Sequence, residues 1–230
     1  MTQTTVTNGM SGLDARNAIN GNFTELYGPA STDQYIRRNQ QLFRTFIGAT
    51  YTSGNWYPAD LGLTMSTSTA MSTNQIFFMP LMIYFDVTIT DIACEVTTAV
   101  ASSNFQMAIY ASDATTKRPT GAALATTASL SGATAQTVFY TFGSPVTLTA
   151  GLYWVAVNSD SALAFRTMAA TQAWTAGIIG SSILTNVLSA NPRIWFQLAQ
   201  TFGTWPSVTP AGLTENNTAY RGLVAAFKVQ

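Results

Sequence analysis

Phe105-Gln106-Met107-Ala108-Ile109-Tyr110 reads as a β-strand, with Phe105, Met107 and Ile109 on one face and Gln106, Ala108 and Tyr110 on the other. The same period of two recurs at Leu152-Tyr153-Trp154-Val155-Ala156-Val157, and Val138, Tyr140 and Phe142 share a face in the same way. Each such face suits a half-buried sheet. Working outward, short runs bounded by Gly, Pro, Asn, Asp and Ser give further candidate strands at 42–50, 75–80, 82–90, 92–100, 122–130, 145–149, 162–168, 177–184, 193–199 and 221–229. About a dozen strands and almost no helix after residue 30 predict an all-β fold, a jelly-roll-like antiparallel β-sandwich over residues 42–230. The turns between strands have their own chemistry. Ser112-Asp113 and Pro119-Thr120-Gly121 frame a long hairpin loop, Gly143-Ser144-Pro145 predicts a sharp bend, and 200–220, with two prolines, reads as a long surface loop.

Residues 1–41 read differently. The first ten are polar and aperiodic, which predicts an extended arm. Ser11 can cap a short helix over 12–27 that Gly28-Pro29 ends, and 29–41 reads as a linker. Ile19, Phe23, Leu26 and Tyr27 form one apolar stripe that Leu13 extends. A helix this short is marginal alone, so its stripe must dock on another surface.

Composition removes whole classes of chemistry. The chain has 230 residues with 10 basic and 10 acidic side chains, and 36 threonines supply much of its polarity. A neutral chain has no basic footprint with which to gather phosphates, so nucleic acid is not an expected partner. The longest apolar run, Ile76 to Phe85, is about half of what a spanning helix needs and is interrupted by Pro80, so no membrane insertion is expected. Without histidine, Ser-His-Asp and Cys-His catalysis and His-ligated zinc are ruled out within this chain. Cys94 has no second cysteine to pair with and reads as a buried, inert thiol. The amino terminus lacks the basic and apolar regions of a signal peptide, which predicts assembly in a cytoplasm. No cofactor motif or metal-ligand spacing is present, so none is expected.

Two segments resemble parts of tailed-bacteriophage virion appendages, the group of head fibres, tail fibres and neck appendages. Arg16-Asn17-Ala18-Ile19-Asn20-Gly21-Asn22-Phe23-Thr24-Glu25-Leu26-Tyr27 resembles their amino-terminal R-x-x-I-N-x-N-F-x-E-L-Y segment. Met107 to Asp160, with Ile109-Tyr110 before Asp113, Pro119-Thr120-Gly121, and Leu148 through Gly151 to Trp154, is similar to a β-sandwich domain of phage fibres. Together they span roughly a third of the chain. The resemblance implies a homotrimer in the virion, attached to other virion proteins through Leu13, Ile19, Phe23, Leu26 and Tyr27 and exposing its sandwich outward. The shaft of a long tail fibre is missing, which favours a short appendage.

Under that reading, Trp56, Tyr57, Trp174 and Trp205, all in turn-rich stretches, are the candidates for contact with host-surface polysaccharide or with a neighbouring subunit. Trp154, inside an alternating strand, is expected in the core. A capsid-decoration or neck protein that binds no receptor is an alternative. A third reading is a glycanase using carboxylates such as Asp86, Asp91 or Asp113, although these are expected to be solvated turn and strand-edge residues.

Overall fold

The structure, a computed structural model, describes residue 11 and residues 50–59, 65–169, 179–181, 183–184, 194–217 and 222–230. The expected arm and linker, the helix over 12–27, all but the last residue of the strand 42–50, and Trp174 lie outside the described residues; of the strand expected over 177–184, residues 179–181 and 183–184 are described and none of them is in a strand, which corrects that expectation. The chain divides between Thr50 and Tyr51, and the described strands belong to the unit from Tyr51 to Gln230.

In chain order they are β1 (Trp56–Pro58), β2 (Met65–Thr67), β3 (Gln75–Ile83), β4 (Val87–Thr98), β5 (Asn104–Ser112), β6 (Pro119–Thr126) and β7 (Leu130–Ser131). There follow β8 (Gln136–Leu148), β9 (Gly151–Ser159), β10 (Ala164–Met168), β11 (Trp195–Ala199), β12 (Thr214–Asn216) and β13 (Ala226–Val229). They form two antiparallel sheets packed as a β-sandwich. One sheet runs β1-β13-β4-β10-β2, with β8 on the other edge of β4; the second runs β12-β11-β3-β9-β5-β6, with β7 also on β5. The long pairs nest, β5 with β6, β4 with β8 and β3 with β9. That nesting is the folded antiparallel ribbon expected of a jelly-roll-like sandwich. No helix among the described residues is long and apolar enough to cross a membrane.

Several expected boundaries are corrected. The breaks placed after residues 80 and 90 do not exist: β3 runs through Pro80, and β4 continues from Val87 to Thr98. Pro80 is tolerated because β11 reaches only as far as Phe78, leaving β3 a single neighbouring strand at that point. Two residues on, the Met82 amide donates away from β9 to the Ala59 carbonyl, so the position of the proline's missing N–H faces that same open side. The bend at Gly143-Ser144-Pro145 is a bulge inside one strand. Ile89 faces Val146 and Asp91 faces Thr141, so the stretch from Phe142 to Pro145 of β8 stands opposite the single residue Thr90. The single strand expected over 122–130 is two, β6 and β7, separated by the buried Thr127, whose hydroxyl accepts from the Met107 amide at 2.9 Å.

The core between the sheets joins Phe77, Met79 and Leu81 of β3, Met107 and Ile109 of β5 and Val155 and Val157 of β9 to Ile89 and Ile92 of β4, Phe165 of β10 and Phe227 of β13. The expectation of half-buried sheets holds for only one of the two. On its outer face the second sheet carries Ile76, Phe78, Tyr110, Trp154 and Phe196, all with no more than a trace of exposure. The expected surface loop 200–220 is what covers much of this face. Trp205 lies edge-on to Tyr110 at 6.3 Å between ring centroids, Tyr110 Oη donates to the Pro206 carbonyl at 2.9 Å, and Val208 bridges to Gly121 through two backbone hydrogen bonds. Past a 3₁₀ turn at Pro210–Gly212, the chain returns as β12 along β11, with Leu213 buried. Arg118 Nη2 donates to Glu215 Oε2 at 2.9 Å and its guanidinium lies 5.1 Å from the centre of the Phe196 ring, pinning the end of this strap.

Two glycines test the tightness of the packing. A Cβ on Gly132 would stand 2.5 Å from Leu163 Cδ1 and 2.7 Å from Ser103 Oγ, and both neighbours are buried. A Cβ on Gly143, in the β8 bulge, would meet nothing within 4 Å. Gly132→Ala is expected to lose about 1–3 kcal/mol by denaturant titration, whereas Gly143→Ala is expected to be neutral or stabilising by up to about 1 kcal/mol. Equal midpoints for the two variants would refute this packing.

Candidate functional site

The outer face of the first sheet differs from that of the second. Register places its residues in cross-strand rows. One row is Trp56, Lys228, Asp91 and Thr141, and the next is Pro58, Ala226, Ala93 and Phe139. The intervening row, Tyr57, Phe227, Ile92 and Tyr140, faces the core. The centre of the second row is therefore two alanines, that of the first is Lys228 beside Asp91, and an aromatic residue stands at opposite ends of the two rows. Trp56 is 42% exposed and Phe139 62%, and their rings meet edge-on across the alanines at 6.4 Å.

Beside them is a pocket of ≈ 200 Å³ lined among others by Pro58, Met65, Ala93, Thr137, Ala226 and the pair Glu95–Arg166. That pair is bidentate: Arg166 Nη2 donates to Glu95 Oε1 at 2.7 Å and Nε to Oε2 at 3.0 Å. The hydrogen bonds from Arg166, aided by its charge, hold the Glu95 carboxyl below its ordinary range. The pocket is thus apolar at its floor, with one neutralised ion pair that still has lone pairs and N–H groups to offer.

Asp91 corrects an expectation. It is buried rather than solvated, and its carboxylate accepts from Thr141 Oγ1 and from Thr90 Oγ1, the latter at 2.6 Å. Burial alone would raise its pKa, but the two hydroxyl donors and the nearby Lys228 charge together bring it below the ordinary value. The other carboxylates are also committed. Asp86 accepts from the Ala150 amide at 2.8 Å, Asp113 accepts from Thr115 and Thr116 within the β5–β6 loop, and Asp160 holds the Asn104 amide at 2.9 Å. All six described carboxylates have a structural partner. Asp91 lies on β4 of the first sheet and Asp113 in a loop of the second, and no group of three His, Cys, Asp or Glu that could hold a metal occurs among the described residues.

The expected aromatic contacts do not form one site. Trp56 and Tyr57 lie in β1, a strand rather than a turn. The Tyr57 ring stacks on Phe227 at 6.0 Å and its hydroxyl accepts from the Thr52 amide, so of the two only Trp56 points outward. Trp205 belongs to the strap on the other sheet, where it is partly buried. Trp154 is in the core, as expected from its strand, and Cys94 is a buried thiol whose pKa burial raises. Sequence reasoning does not single out Phe139 or Met65. Phe139 leaves a trace all the same, since it interrupts the polar side of the alternation between Thr137 and Thr141.

No family model matches the chain, and comparison with curated proteins finds no match.

The lowered carboxyls give a pH dependence of definite sign. A carboxyl whose folded pKa lies below its unfolded value near 4 binds fewer protons when folded, so its stabilisation is complete above about pH 4 and is lost as pH falls through the folded pKa. Asp91, Glu95, Asp113 and Asp160 all act in this direction. Melting temperature is expected to be flat from pH 7 to 5 and to fall steadily below about pH 4. Thr141→Val, which removes one donor to Asp91, is expected to cost about 1–2 kcal/mol at pH 7 and much less at pH 2. A cost that does not change with pH would show that the Thr141 hydroxyl does not act through the Asp91 charge.

Proposed function

We propose that this chain is a structural protein of a tailed-phage virion, a homotrimeric fibre- or spike-like appendage held to the particle by its amino-terminal segment and presenting the β-sandwich outward. The observation that carries this reading is the contrast between the two sheets. Among the described residues, one is covered on both faces, whereas the other has a Thr-rich outer face with Trp56 and Phe139 exposed. A surface with aromatic residues over small ones and few free charges suits association rather than catalysis. The structural engagement of the six described carboxylates favours a non-enzymatic role over the glycanase reading. The two amino-acid segments that resemble phage appendages supply the virion context.

A receptor-binding role is favoured over pure decoration by Trp56. Its exposed ring lies on the same outer face as the Glu95–Arg166 pair, so that face offers an aromatic platform and both kinds of hydrogen-bonding group to a sugar.

Peptides of this chain are expected in purified particles, and the free full-length protein is expected to have the mass of a trimer by light scattering. A monomer absent from particles would overturn the proposal. For the receptor arm, Trp56→Ala is expected to weaken binding to host-surface polysaccharide at least tenfold with an unchanged melting temperature. If the parent protein binds no polysaccharide and its removal lowers particle stability, the decoration reading replaces it.

A further inference from the structure

We infer that the free edge of β8, with the neighbouring edge of β6, is the contact at which a second copy of this chain docks; the inference rests on the preceding reading that the protein works as an oligomer. Three observations lead there. First, β8 is 13 residues long and, among the described residues, is paired only on the side of β4. Its other side presents a row of backbone donors and acceptors without a strand partner, and such an edge is a ready template for another chain. The opposite margins of the two sheets are different: β1, β2 and β12 are each only three residues long, which blunts an edge.

Second, the usual protection is missing. From Pro119 to Ser159 the sequence has no Asp, Glu, Lys or Arg, although the chain's 20 charged residues in 230 would place between three and four in a stretch of that length. Charged side chains, lysine above all, are what normally keeps an edge strand from pairing with another molecule. Here β6, β7, β8 and β9 all fall inside the uncharged stretch, and β6 and β8 approach each other at the same side of the sandwich. The β8 bulge and Pro145 interrupt the edge near its carboxyl end only, leaving Gln136 to Thr141 regular.

Third, this side exposes large apolar side chains. Phe139 on β8 is 62% exposed and Leu124 on β6 48%. The strap joins β6 at the Gly121–Val208 bridge, and Ala123 packs on the cluster that includes Val208, yet Leu124 stays exposed.

Charge selects the occupant. A partner carrying ionised groups would have them stripped of water against two edge strands that carry no counter-charge of their own, with Glu95 and Arg166 on the neighbouring strands already paired with each other, at a cost of several kcal/mol per ion. The matching surface is one that is also uncharged, and this chain, neutral overall, provides it over the same segment. Copies arranged in a closed ring cover every such edge, whereas a contact that fails to close leaves one edge open for further addition.

The test uses full-length protein at micromolar concentration. Phe139→Lys, alone and combined with Leu124→Lys, places charge on the edge at side chains that are already exposed in a single copy, and Thr201→Lys, in the strap, is the control. The parent and control are expected to keep the oligomer mass by light scattering, and the double variant is expected to fall to the 24.6 kDa of one chain with an unchanged far-ultraviolet circular dichroism spectrum. Should the double variant unfold, Thr137→Lys on the same edge replaces it, with the same expected loss of mass. An oligomeric parent whose edge variants all retain full mass, or a control that dissociates equally, overturns this inference and leaves the proposed function standing. A monomeric parent overturns the oligomeric reading itself.

Discussion

The structure depends on covering a sheet that is apolar on both sides. Trp154 and Ala156 of β9 face one way, Val155 and Val157 the other, and all four are buried. Fully burying a large side chain contributes roughly 1.5–3 kcal/mol, so neither face of this sheet can be left to water. The first sheet takes one face. The strap from residue 200 to 217 helps to cover the other, and its attachments explain its sequence. Trp205 packs on Tyr110, Val208 joins the β6 backbone at Gly121, and Glu215 holds Arg118.

Using the strap on one side leaves the sandwich asymmetric, and the functional proposals follow from that asymmetry. The first sheet has one neighbouring layer among the described residues, so its outer face can hold Asp91 beneath Thr141 and Thr90, an Arg–Glu pair at a small pocket and an exposed Trp56. Its β8 edge is long and uncharged, while β1, β2 and β12 at the opposite margins are short. Polarity without charge is the property of the β6 and β8 edge, while the charges on the neighbouring face, Asp91 beside Lys228 and Glu95 with Arg166, are paired among themselves. The threonines give hydrogen-bonding capacity at a smaller desolvation cost than charged side chains would.

Much of this was legible in sequence because period-two alternation is a direct record of a sheet's two faces. The strands β5, β9 and β11, the Asp113 hairpin loop and the burial of Trp154 follow from it. What was not legible depends on neighbours. Pro80 looked like a break, yet β3 has one strand partner there and loses no ladder bond. The 200–220 segment looked like a solvated loop because its turn formers are local signals, whereas the burial of Val208 and Leu213 is set by the sheet beneath them. Asp91 looked like a surface carboxylate since Thr141, its donor from the neighbouring strand, reaches it only through the β4–β8 register. Trp56 and Trp205 looked equivalent as loop aromatics, but they belong to opposite sheets.

The double coverage of the second sheet is tested most directly by native-state hydrogen exchange. The amides of Gly121 and Val208, which bond each other's carbonyls at 2.9 and 2.8 Å, should exchange as slowly as those of β9 and only by an opening that exposes both. Rapid exchange at Gly121 and Val208 while the β9 amides remain protected would mean that the sheet stays folded without the strap, and would contradict the dependence of the fold on covering both faces.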